Sequence, residues 1–206
     1  MYEIVLDVFT DYVWPWCYLS TVSIEKLKEN YPVKIRWIHF PLHPETPQEG
    51  LTLENLFPGR DLAPIKKHMK GLMADAGLPF GDRSHTYNSR FAQELGKWAD
   101  TQENGEIIHD LLYKAYFVDN INISDIDKLV KIAEAAGLDG GAARRVLEER
   151  EFEFQVDEDW RFSKEIGVTG VPTFYSNDLA VVGCQPYDTL EKFVKHLMEL
   201  QKESPA

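Results

Sequence analysis

Cysteine is scarce in this chain: Cys17 and Cys184 are the only two in 206 residues. Two thiols do not make a disulfide scaffold, so a hydrophobic core has to hold the fold. Basic residues are also few, 22 Lys and Arg against 34 Asp and Glu, which leaves a net charge of −12. Nucleic acid and anionic membranes both require clustered Lys and Arg, so neither is expected as a partner, and the acidity reads as a solubility feature. No apolar run approaches the length of a membrane span. The first residues, Met1-Tyr2-Glu3-Ile4-Val5-Leu6, show neither a basic stretch nor a small-residue cleavage site. A cytoplasmic protein is therefore expected. Gly-rich phosphate loops and Ser-His-Asp arrangements are missing. His39 and His43 are four apart, but Pro41 between them breaks the helix that would align them, so no metal site is expected there. His68, His85, His109 and His196 lack ligand spacing and read as surface or packed histidines. The acids from Glu148 to Glu158 read as a solvated helix face.

Hydrophobic residues make up 44% of the chain and charged residues 27%. That composition gives a globular chain with a sizeable core, as one domain or a domain with a large insertion. The most informative stretch is Asp11-Tyr12-Val13-Trp14-Pro15-Trp16-Cys17-Tyr18. It follows an apolar run that reads as a buried strand, Tyr2 to Phe9, and opens a segment of helical spacing. A thiol in the first turn of a helix meets free N–H groups and partial positive charge, which favour the thiolate. A dithiol redox motif would place a second cysteine three positions earlier. Trp14 occupies that position.

Further along, Pro15 suits the first turn of a helix that runs to Asn30 and is stopped by Pro32. Val33 to Phe40 alternates as a strand, with Trp37 expected in the core. Pro41, Pro44 and Pro47 then make a rigid loop. From about Leu62 to Ile166 the signals are helical. Ser124-x-x-Asp127 looks like a capping box, Gly137 a stop, and Gly140-Gly141 a break before a helix from Ala142 to Arg150. Another helix covers Phe152 to Ile166, ended by Gly167. Strands at Thr173–Tyr175 and Leu179–Val182 flank a turn at Ser176-Asn177-Asp178, and an amphipathic helix spans Tyr187 to Gln201. The order is β-α-β, a helical block, then β-β-α. An α/β fold is expected, with residues 1–50 and 167–206 forming the sheet-bearing domain and 51–166 an inserted all-helical one.

These residues resemble the DsbA-like thioredoxin superfamily, in particular its FrnE-type branch. That branch is related to 2-hydroxychromene-2-carboxylate isomerases and kappa-class glutathione transferases. The resemblance is carried by Asp11 with Pro15-Trp16-Cys17-Tyr18, by Tyr87-Asn88-Ser89-Arg90, and by Ile123-Ser124-Asp125 with Ala136-Gly137-Leu138. It continues through Gly167-Val168-Thr169-Gly170-Val171-Pro172-Thr173-Phe174 and Gly183-Cys184-Gln185-Pro186. It implies a thioredoxin-like fold with a helical insertion. It also implies a cis Val171–Pro172 bond, the loop before it facing the helix-start thiol and offering main-chain groups to a substrate or to glutathione.

The departure lies in the motif. Where disulfide-active FrnE-type proteins carry Cys-Pro-Trp-Cys, this chain has Trp14, so Cys17 holds the resolving position. The resemblance implies an oxidoreductase acting on thiols or disulfides, whereas the altered motif implies a reduced or lost dithiol cycle. Catalytic candidates are Cys17, Trp14 and Pro172. Substrate-binding candidates are Trp16, Tyr18, Val171, Asn88, Arg90, Cys184 and Gln185. A Cys17–Cys184 disulfide is not expected. Three readings stay open. Cys17 acts as a monothiol, or is instead a buried small hydrophobe. Bound glutathione supplies the thiol for an isomerase or transferase, with Asn88, Arg90 and Gln185 as polar contacts, or Asn88 as a helix cap and Arg90 as a solvated charge. Otherwise the protein is a non-catalytic binding module, in which Trp14, Trp16, Tyr18 and Trp37 line a cleft. No tightly bound cofactor is expected beyond glutathione. Partners are a thiol- or disulfide-bearing protein or a small molecule, and the chain acts as a monomer or homodimer.

Overall fold

The computed structural model describes residues 3–203. Its central strand, β1 (Ile4–Thr10), is buried along almost its whole length. It pairs in parallel with β2 (Val33–His39) and antiparallel with β5 (Thr173–Ser176), which in turn pairs with β6 (Leu179–Val182). The sheet order is β2-β1-β5-β6. Successive side chains of a strand point to opposite faces. Ile4, Leu6 and Val8 accordingly enter one apolar cluster, with Ile24, Leu27, Phe174, Leu190, Val194 and Leu197. Phe9 enters the other, which reaches through Tyr12, Val13 and Cys17 into the helices inserted between β2 and β5. The sheet thus carries a core on each face.

Helix α1 (Pro15–Asn30) follows β1, and α9 (Tyr187–Glu203) follows β6. Between β2 and β5 come α2 (Leu53–Leu56), α3 (Ala63–Asp75), α4 (Arg90–Ala99), α5 (Ile107–Phe117), α6 (Ile126–Ala135), α7 (Gly140–Glu148) and α8 (Glu153–Glu165). This insertion is not entirely helical: β3 (Leu51–Thr52) and β4 (His85–Thr86) form a two-stranded ladder that periodicity is too short to show. The capping signals also differ from expectation. Asp125, not Ser124, caps α6 by accepting from Lys128 N at 3.2 Å, while the Ser124 hydroxyl bonds to the carbonyl of Gln48. Gly140-Gly141 does not break the chain, because Asp139 caps the helix one residue before and accepts from Ala142 N at 2.7 Å. Asn177 and Asp178 both take positive φ in the β5–β6 turn, the backbone that a two-residue hairpin requires. Tyr2, expected at the start of β1, lies outside the described residues. Trp37 is only half-buried, packing on the sheet cluster and lying 4.9 Å from the ring of His109.

Charged groups fasten the insertion to the sheet. Asp159 of α8 accepts from His39 N at 2.8 Å and pairs with Lys97 of α4 at 2.7 Å. Lys97 also donates to the carbonyl of Trp37 at 2.9 Å, so three elements meet at one carboxylate. Glu94, fully buried, takes both Arg90 and Arg150. Gly96 on α4 lies under this junction. A Cβ there would overlap the Tyr12 hydroxyl and press on His39 Nε2 at 3.2 Å. Gly96→Ala is therefore expected to cost about 1–3 kcal/mol, read as a lower urea midpoint with an unchanged slope.

Candidate active site

The turn between β1 and α1 carries the site. Trp14 takes an extended N-cap conformation and offers no side-chain cap, and Pro15 supplies the first helical residue. Trp14 N donates to Asp11 O at 3.1 Å, and Trp14 O accepts from Cys17 N at 3.0 Å. The indole of Trp14 is half-buried against the insertion cluster and makes no side-chain hydrogen bond among the described residues. Trp16, also half-buried, packs on the same cluster.

Cys17 lies in the first turn of α1, as its position in the sequence implies, but is only 2% exposed. Burial pushes its thiol up to about 12, although the Thr10 hydroxyl and the main chain of Asp11 pull the other way. Desolvation moves a fully buried group by several pKa units. A helix terminus offers about 0.3–1 kcal/mol, less than one unit. Desolvation wins, and the low-pKa thiolate expected from the helix start does not form. Cys184 is half-buried beside the Ser20 hydroxyl, its thiol also raised by burial. Both cysteines are free thiols.

The Val171–Pro172 bond is cis. Val171 packs in the cluster that holds Cys17 and Val13. Its main-chain N–H and C=O make no hydrogen bond among the described residues, whereas Pro172 O accepts from Gly183 N at 2.7 Å.

The remaining sequence candidates have internal partners. Tyr18 is fully buried, stacked on Tyr113 and Phe117 at 5.6 and 5.3 Å, and its hydroxyl donates to Pro79 O. Asn88 donates to Pro44 O and Thr46 O and accepts from Arg90 N, so it pins the proline loop at the start of α4. Arg90 bonds Glu94, Asp157 and Glu153 O, with its guanidinium 4.7 Å from the Trp160 ring. Gln185 donates to Val182 O in its own turn. The structure therefore places Trp14, Trp16 and Cys17 at the start of α1, with Val171 in the same apolar cluster as Cys17, and it holds Asn88, Arg90 and Gln185 in local contacts.

The residue that sequence reading left without a role is Asp11. Its carboxylate accepts from Val13 N and Leu42 N, both at 3.2 Å. Hydrogen bonds do not offset its complete burial, and its pKa rises to about 6. An acid closing an apolar strand just before a proline-started helix was the available signal. Nearby, Tyr12 and His109 Nδ1 are 2.6 Å apart, and His109 Nε2 lies 2.8 Å from Asp100. Burial holds Tyr12 protonated.

A β-α-β unit and a β-β-α unit sharing one sheet, with a cis-proline leading into β5, define the thioredoxin class. Residues 5–195 match the DSBA-like thioredoxin domain, and the chain belongs to that family of thiol oxidoreductases. It is 26% identical over 202 residues to the uncharacterized protein YwbO of Bacillus subtilis, covering 92% of this chain and 94% of that one. The crystal structure of a probable DsbA oxidoreductase, SCO1869 from Streptomyces coelicolor, superposes with a TM-score of 0.86 at 24% identity, over 99% of this chain and 92% of that one. A 2-hydroxychromene-2-carboxylate isomerase superposes with a TM-score of 0.75 at 19% identity, over 98% and 100%. The cytosolic disulfide reductase DsbM of Pseudomonas aeruginosa gives 0.70 at 17%, over 96% and 100%. No described helix is long and apolar enough to cross a membrane.

Because the Asp11 pKa is raised from 3.8 to about 6, its contribution to stability is complete below pH 4 and is lost as pH rises through about 6. Carbon-13 NMR of the aspartate carboxyls is expected to show one titration near pH 6. Asp11→Asn is expected to remove the matching slope from urea-determined stability between pH 4 and 7, while lowering stability overall by orphaning one of the two N–H donors.

Proposed function

We propose that this protein is a DsbA-family member whose dithiol cycle is lost and whose scaffold serves binding. The observation that carries the reading is the state of Cys17: buried, raised to about 12, and preceded at the attacking position by an indole. Exchange begins with a thiolate that can reach its target. At neutral pH Cys17 offers neither the charge nor the access. The motif retains the helix start, the proline and the cis-proline loop, and lacks the atom that begins electron transfer.

A second reading is favoured by Val171. Its main-chain groups make no hydrogen bond among the described residues, which suits an extended cysteinyl unit such as that of glutathione. A glutathione-dependent isomerase or transferase would draw its nucleophile from that ligand, so the burial of Cys17 would not matter. DsbM has been crystallised with glutathione. Trp14 supplies one N–H donor and a flat ring to such a site. Asn88, Arg90 and Gln185 are committed elsewhere and add little to it. Two unpaired cysteines suit a cytosolic protein, acting as a monomer or homodimer on a small molecule or a thiol-bearing protein.

Cys17 is expected to resist a thiol reagent at pH 7.5 until the protein unfolds, and insulin reduction is expected to be absent. Trp14→Cys is expected to bring insulin turnover. Robust wild-type turnover that disappears in Cys17→Ala would refute the loss of the cycle. Calorimetric heat and a raised melting point at millimolar glutathione would favour the second reading; neither signal would remove it.

A further inference from the structure

An open apolar cleft lies beside Pro15, between the start of α1 and the first part of the insertion. Its walls come from Leu53, Phe57, Leu62, Ile65, Met69 and Phe80. A mostly apolar lining with a few placed polar groups is that of a small-molecule site. Ile65, on the cleft, is 51% exposed.

The polar groups of the cleft have one predominant sign. Lys66, Lys70 and Arg83 line it against the single acid Asp82. Lys70 is neutralised by Asp82 at 2.6 Å. Lys66 is half-buried and makes no ion pair among the described residues. Arg83 meets no carboxylate either: it bonds the Tyr116 hydroxyl and lies 5.1 Å from the Tyr116 ring and 5.2 Å from that of Phe117. Those rings fix its guanidinium while leaving its charge uncompensated and part of its donor fork free. Three cations and one acid therefore border an apolar cleft in a chain whose net charge is −12. Long-range attraction for anions does not explain their placement; short-range complementarity does.

We propose that this cleft binds a small amphipathic anion, an apolar body bearing one carboxylate. The body lies on Leu53, Ile65 and Met69, and the carboxylate meets Lys66 and Arg83. Arg suits a carboxylate through two parallel hydrogen bonds, and Lys adds a point charge. Met69 is unbranched and adaptable, which lets the floor fit more than one body shape. The proposal concerns binding alone and needs no chemistry at Cys17.

Isothermal titration with octanoate, 2-naphthoate, octylammonium and 1-octanol tests it, with melting temperatures of every variant measured in parallel. At least one of the two carboxylates is expected to bind about tenfold tighter than octylammonium and 1-octanol. The better carboxylate tells whether the body is a flexible chain or a flat ring. Lys66→Glu is expected to weaken that carboxylate about tenfold. Glu in the second turn of α3 suits the helix, so this variant is expected to fold. Ile65→Glu, at a half-exposed position, is expected to weaken both carboxylates without lowering the melting temperature appreciably. Absence of carboxylate binding at millimolar concentration would overturn the proposal. Equal affinity for octanoate and octylammonium, or a folded Lys66→Glu that binds like the wild type, would overturn it as well.

Discussion

A carboxylate deprived of water holds this structure at its most consequential turn. Asp11 receives hydrogen bonds from the turn that follows β1 and from the loop that follows β2. The two segments meet at its two carboxylate oxygens. Trp14, Pro15 and Cys17 are placed by the same turn, so the geometry of the helix start depends on a group that is costly to bury. The cost appears as a pKa near 6. It is tolerated because every N–H it serves would otherwise be orphaned in an apolar interior.

The same dryness decides the fate of the thiol. A helix start favours a thiolate by a fraction of a pKa unit, and burial disfavours it by several. In a motif with an exposed first sulfur, the second need only be reachable by its neighbour. Cys17 is left with the character of a small buried hydrophobe. Beside it, the insertion contributes a cleft whose apolar walls and paired cations are independent of that sulfur.

Much of this was legible in the chain. Short strands at Tyr2–Phe9, Thr173–Tyr175 and Leu179–Val182 declared themselves by β-branched runs and turn residues, and every expected bound among the described residues lies within one residue of the observed one. Proline and glycine marked the ends of α1, α6 and α8. Capping was read less well. At Ser124 and at Gly140-Gly141 the choice between adjacent polar residues depends on which side chain has a tertiary partner, and Gln48 O claimed Ser124. Trp37 shows the limit of hydropathy, since this large apolar side chain on the edge strand β2 stays half-buried.

By itself the sequence determined the order of the four sheet strands and of the helices that follow β1 and β6, the thioredoxin class and the place of the helix-start thiol. Each of these follows from local spacing, from turn chemistry, or from a motif read in order. Only the tertiary structure decided that Cys17 is dry, that Asn88, Arg90 and Gln185 are spoken for by neighbours, and that Lys66 and Arg83 share a cleft with Ile65. Those facts depend on desolvation and on contacts between segments tens of residues apart. No local pattern encodes them, because the water that a group loses is set by whatever the rest of the chain packs against it.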